Sequence, residues 1–179
     1  MVRRSRVRSE IANASDKTIN AQREARMPNI YEPDFDVEQD NEPYVWQRAL
    51  LGRAAGAERL GASLFALPPG GTTFPLHAHL HNEELLIVVT GTPTLRTLDG
   101  ERTLAPGEVV AFPAGRAGAH QLRNDSDQPV SLLIVSTMVA PEVNLFPDTD
   151  EIWVRDYVPG TAAPDGAFDA KAPLPRGGC

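Results

Sequence analysis

The sequence predicts an all-β domain, a sandwich or barrel of short antiparallel strands, and three observations lead there. Fourteen Gly and sixteen Pro among 179 residues favour many turns over long helices. Between residues 44 and 157, short apolar segments alternate with turn residues about every eight to twelve positions, the spacing of small β architectures. The connections between these segments are too short for helical crossovers, so neighbouring strands run antiparallel.

Taken in order, the expected strands are bounded by recognisable turns. Tyr44–Leu51 comes first, and Leu60–Leu67 ends at Pro68-Pro69-Gly70-Gly71. Thr73–His77 precedes Glu84–Thr90, which holds the longest strongly apolar run, Leu85 to Val89. Thr92–Leu98 and Glu101–Leu104 flank Asp99-Gly100, a tight hairpin signal because Gly tolerates positive φ. Glu108–Phe112 lies between Pro106-Gly107 and Pro113-Ala114-Gly115. His120–Asn124 runs into Asn124-Asp125-Ser126-Asp127, and Val130–Thr137 and Ile152–Tyr157 complete the set.

Charge divides the chain into four parts. Residues 1–26 carry Arg3, Arg4, Arg6, Arg8, Lys17, Arg23 and Arg26 against Glu10, Asp16 and Glu24, with no repeating apolar face, and read as a basic flexible arm. No aromatic residue lies among these arginines, so a solvated tail is favoured over nucleic-acid binding. Residues 27–43 form an acidic segment with Glu32, Asp34, Asp36, Glu38, Asp40 and Glu42 at every second position. The barrel is expected over 44–157, and 158–179 is a Pro/Gly-rich tail with little to bury. Met27, followed by Pro28, is a candidate for an alternative start site.

Five apolar residues in a row are far fewer than the ~20 that a membrane helix requires. No apolar stretch follows Arg3-Arg4, as an export signal would need. The only cysteine, Cys179, permits no intrachain disulfide and suits a reducing cytoplasm. The net charge of -7 and the lack of a helix-turn-helix stretch before the barrel argue against a DNA-binding regulator.

Chemistry concentrates at the histidines. Three of four, His77, His79 and His81, fall within five residues, and the fourth is His120. In a strand, His77 and His79 share a face, and the parity of His81 matches theirs if the strand runs straight through Leu80. Glu84 opens a strand that otherwise reads Leu-Leu-Ile-Val-Val, where a carboxylate has no packing role unless paired or coordinated. Imidazole nitrogens and a carboxylate oxygen around an open position suit a divalent first-row metal, whether Fe, Mn, Ni or Zn.

At these residues the sequence resembles a known family. Gly71-Thr-Thr-Phe-Pro-Leu-His77-Ala-His79-Leu-His-Asn-Glu-Glu84-Leu-Leu-Ile-Val-Val-Thr-Gly91 matches the first cupin motif, G-x5-H-x-H-x4-E-x6-G. Gly107-Glu-Val-Val-Ala-Phe-Pro113-Ala-Gly115-Arg-Ala-Gly-Ala-His120-Gln-Leu-Arg-Asn124 resembles the second, G-x5-P-x-G-x2-H-x3-N, with two extra residues before the histidine. The resemblance covers about residues 44–140. It implies a double-stranded β-helix (jelly-roll) cupin barrel with flexible terminal extensions and a metal held by His77, His79, Glu84 and His120. The segment from Met27 to Tyr157 is similar to small bacterial single-domain cupins, and it implies a homodimer.

The motif spacer implies a bend after His79, which makes His81 a rim residue rather than a fifth ligand. Glu83 faces away from Glu84. Counting in steps of two nominates Leu86 and Val88, then Leu122 and Asn124, as the wall of an apolar cavity; Phe65 and Phe74 are candidates to close it, with plain core packing the favoured reading of each. Arg116 and Arg123 are the only bases of the second motif; a surface role is favoured over binding of a carboxylate substrate. The resemblance implies an enzyme of dioxygenase, decarboxylase, isomerase or lyase type acting on a small oxygenated metabolite. The competing readings are a non-catalytic module that binds metal or a small ligand, and a metal-free epimerase, against which the complete ligand quartet argues.

Overall fold

Strand formation begins inside the acidic segment. The computed structural model describes residues 27–159 and 161–174, so the basic arm expected over 1–26 lies outside the described residues. Val37–Asn41 (β1) pairs antiparallel with Tyr44–Ala49 (β2), with Val37 opposite Arg48 and Gln39 opposite Trp46. Alternation explains the acids: Glu38 and Asp40 are exposed while Val37 packs against the core.

The chain turns through one short helix, Leu51–Ala54 (α1), into Leu60–Leu67 (β3). Ala78–His79 (β4), Glu84–Thr90 (β5), Thr94–Thr97 (β6), Gly100–Thr103 (β7) and Val109–Phe112 (β8) follow. A 3-10 turn at Arg116–Gly118 leads into His120–Arg123 (β9), Val130–Thr137 (β10), Glu142–Phe146 (β11), Glu151–Arg155 (β12) and Asp169–Pro173 (β13). One layer is a sheet in the order β1-β2-β3-β10-β5-β8. The opposing layer combines β7-β6-β9 with β13-β12-β11-β4. Bridges between Thr72 and Arg123, and between His77 and His120, bring these two smaller sheets together. Every strand pairing is antiparallel, as the short connections require.

The core follows from strand parity. Leu132 of β10 lies opposite Phe65 of β3 on one side and Val88 of β5 on the other, and all three are buried. Leu86 and Leu122 belong to the same apolar cluster. Truncating a leucine so enclosed typically costs about 2–5 kcal/mol. Gly91 closes β5 at φ 79, and a Cβ there would meet Pro129 O at 2.8 Å, so both backbone conformation and space demand glycine.

Several expected elements are corrected. Thr73–His77 is not a strand: bridges occur only at Thr72 and His77, with bends at Phe74–Leu76, where Pro75 has no N–H to donate to a ladder. The strand expected over Tyr44–Leu51 stops at Ala49, and Leu51 starts α1. β11 escaped the sequence pattern because its buried positions include Glu142 and Asn144. Within the segment expected as a tail, all five residues of β13 pair with β12, and Leu174 beyond it packs against the cluster of Leu76 and Leu145.

Candidate metal centre

The two motif segments meet because His77 and His120 form a two-way backbone bridge, His77 N–H to His120 O at 3.2 Å and His120 N–H to His77 O at 2.9 Å. Their rings lie 4.8 Å apart between centroids, and that of His79 is 5.0 Å from His77. Glu84, the first residue of β5, reaches in from the opposite sheet. Its Oε2 lies 3.3 Å from both His79 Nε2 and His120 Nε2. His77, His79 and Glu84 each offer a ligand atom, and those atoms all fall within 4.8 Å of one another.

Hydrogen bonds at the far ring nitrogens decide which nitrogen points inward. His77 Nδ1 donates to Pro75 O at 2.9 Å, and His120 Nδ1 donates to Gly118 O at 2.9 Å. A carbonyl only accepts, so both Nδ1 atoms carry a proton and Nε2 is the nitrogen left to face the cluster. His79 Nδ1 has Glu142 Oε1 at 3.1 Å and Asn144 Nδ2 at 2.9 Å. The carboxylate, as the charged partner, favours Nδ1–H and so turns Nε2 of His79 inward as well. Once Nε2 gives up any proton, three imidazole nitrogens and one carboxylate oxygen form the donor set of a divalent first-row metal, so these residues fit such an ion.

Electrostatics in the cluster follow burial and contact. Burial lowers His77 to about 3, helped by the nearby His120 and His79, which keeps its ring neutral. Burial also acts to lower His79, but hydrogen bonds with Glu142 and Glu84 outweigh it and raise it to about 9. For Glu84, burial works to raise the pKa, and hydrogen bonds from His120 and His79 overcome it and hold the carboxyl well below its ordinary value.

The surroundings hold the rings in place. Phe112, opposite Glu84 in the β5–β8 register, stacks on His120 with centroids 3.8 Å apart and planes 8° from parallel. The lengthened spacer of the second motif holds the 3-10 turn Arg116–Gly118, which presents Gly118 O to His120. A Cβ on Gly118 would stand 2.0 Å from Pro113 O, so this turn accepts only glycine.

Not every nominated residue faces this cluster. His81 is exposed, with Nδ1 donating to Pro141 O at 3.0 Å. Asn124, expected in the pocket wall, instead organises a turn: its Nδ2 donates to Leu67 O and Gln128 O, and its Oδ1 accepts from Ser126. Phe65, Leu86, Val88 and Leu122 pack into the main core, and Phe74 packs against it with its ring 5.8 Å from that of His77. Arg123 pairs with Glu101 and Asp125, and Arg116 is exposed. Glu83 is exposed, with its backbone N–H donating to Thr137 Oγ1.

Two residues near the cluster were missed. Glu142 is completely buried behind His79, and its Oε2 accepts from Asn82 Nδ2. Glu142 opens β11 as Glu84 opens β5, but the buried Asn144 hid that strand from the alternation that singled out Glu84. Arg48 has the parity of Trp46 on β2, which placed it facing inward.

Comparisons with known proteins agree with this architecture. Residues 63–136 match the Cupin domain family. A proposed sugar phosphate isomerase from Acidithiobacillus ferrooxidans is similar at 27% identity and TM-score 0.63, over 70% of this chain and 80% of that one. A cupin-superfamily sugar phosphate isomerase from Silicibacter pomeroyi has the same fold at 24% identity and TM-score 0.68, over 84% of this chain and 98% of that one. The polyketide cyclase RemF from Streptomyces resistomycificus is similar at 26% identity and TM-score 0.51, over 61% of this chain and 78% of that one. Among curated proteins, nothing matches. No helix among the described residues is long and apolar enough to cross a membrane.

Proposed function

We propose that this protein, a member of the cupin superfamily, holds one divalent first-row metal through His77, His79, Glu84 and His120 and acts there on a small oxygenated metabolite. The observation that carries this reading is the convergence of His79 Nε2 and His120 Nε2 on one oxygen of Glu84, each at 3.3 Å, beside the buried His77. When bound, the metal supplies Lewis acidity or redox chemistry to the substrate oxygens. His77 and His120 are oriented for this by backbone carbonyls, and His79 by Glu142. Phe74 and Phe146 flank His77 and exclude water from one side of the cluster.

Among the reaction types open to such a shell, isomerisation has the support of the 27%-identical structure. The reading includes a homodimer in the cytoplasm, and sedimentation analysis checks the assembly.

Metal content by elemental mass spectrometry tests the site. The wild-type protein should carry about one metal ion per chain after reconstitution, His77→Ala should carry close to none while keeping its β-type circular dichroism, and His81→Ala should match wild type. Full metal content in His77→Ala would refute the shell, and loss in His81→Ala would redraw it.

A further inference from the structure

β2 carries a second feature inside the barrel. Trp46 and Arg48 stand two residues apart and face the interior together, with Arg48 in register with Val37 and Phe65. The Arg48 guanidinium carbon lies 5.7 Å from the ring centroids of both Trp46 and Phe65. Trp46 packs 5.4 Å from Phe74, and Phe74 packs 5.8 Å from His77, so an aromatic wall runs from Arg48 to the histidine cluster.

Two donors on this wall have no hydrogen-bond partner. Arg48 Nε is buried and unpartnered, and so is the indole Nε1 of Trp46, a residue only 6% exposed. Arg96, Arg102 and Arg123 all meet carboxylates at the surface, whereas Arg48 stands apart from those pairs. Burial lowers the Arg48 pKa, and the attraction of the exposed Asp36 offsets only part of that effect. Leaving two buried donors unmatched is unfavourable, and a charged guanidinium doubly so. Both groups only donate, so the complement is a group that only accepts and carries negative charge.

We propose that Arg48 and Trp46 seat an oxyanion, a carboxylate or a phosphate, carried by the ligand whose other oxygens reach the metal cluster. This rests on the metal-site reading above and narrows its substrate class to small anionic metabolites. Arg48 supplies charge and a directed N–H, Trp46 supplies a second N–H, and the surrounding rings exclude water and strengthen both contacts.

The test is a nitrogen-15 NMR titration of the full-length, zinc-loaded protein, following the Trp46 indole N–H and the Arg48 Nε–H, assigned with Trp46→Phe and Arg48→Lys. Glycolate offers a carboxylate, glycerol 1-phosphate a phosphate, and glycerol no charge. One or both anions should shift the two signals in a saturable way, glycerol should not, and the anion that acts identifies the group. Arg48→Met should weaken the response by about tenfold or more, the loss of a charge-assisted contact, with zinc content unchanged. Signals unmoved by either anion, or an Arg48→Met protein that responds as wild type does, would overturn the seat. If Arg48→Met fails to fold, the wild-type titration decides by itself. Zinc content measured on the same samples separates the two readings: anion shifts without bound zinc would remove the metal site and keep the seat.

Discussion

Glu142 and His79, 63 residues apart in the chain, are joined by a hydrogen bond of 3.1 Å from Nδ1 to Oε1. Behind this pair, Asn82 is fixed by accepting from the Val139 N–H at 2.8 Å and from the Thr137 hydroxyl at 3.0 Å, so its Nδ2 is turned toward Glu142. A carboxylate behind a metal-binding imidazole sets the ring's tautomer and increases its basicity. Glu142 therefore positions His79 rather than binding metal itself.

Removing that carboxylate should weaken metal binding without abolishing it. Glu142→Ala is expected to lower zinc affinity by about 10–100-fold, measured by competition with a chelator. Glu142→Gln keeps an acceptor for Nδ1–H and should recover most of the loss. Equal affinity in Glu142→Ala and wild type would show that His79 needs no partner.

The turn before His120 should be intolerant of any side chain. Gly118→Ala drives a Cβ into Pro113 O and displaces the carbonyl that accepts from His120 Nδ1. Overpacking of this kind costs about 1–3 kcal/mol, on the order of 5 °C in Tm for a chain of this size. Thermal unfolding and zinc affinity should both fall, and an unchanged pair of values would mean that the turn can relax.

The C-terminal strand should detach on its own. Asp169 of β13 accepts from the Trp153 indole and from the Tyr157 hydroxyl, and these bonds hold its carboxyl below the ordinary Asp value. A depressed folded pKa stabilises docking above the unfolded value of about 3.9, and that contribution is lost as pH falls through the folded pKa. Asp169→Ala at neutral pH should therefore speed amide exchange over residues 169–173 and alter Trp153 fluorescence, as lowering the pH below the ordinary Asp value of about 3.9 should in the wild-type protein. Metal content should not change. Exchange as slow as in wild type would show that backbone pairing to β12 suffices.

Much of the architecture was legible because period-2 patterning and turn residues are local signals. Leu60–Leu67, Glu84–Thr90 and Val130–Thr137 form strands with the expected limits, since each joins an apolar inner face to a clear turn. β13 gave no such signal: four of its five residues are exposed, and what places it is pairing to β12, which no alternation of its own sequence announces. Thr73–His77 misled because alternation continues through Pro75 while the ladder cannot.

By itself, the sequence determined the all-β class, the two histidine-bearing motifs and the residues proposed for metal, because these depend on residue type and short spacing. Only the tertiary structure decided what stands behind and beside them. Glu142 reaches His79, and Arg48 joins the aromatic wall beside His77, through strand pairings that bring distant segments together. Asn124 shares strand parity with His120 but spends its hydrogen bonds on a turn. Parity states the side of a strand on which a side chain emerges. The partner it meets there depends on register and on the burial of competing polar groups, and both are properties of the folded chain.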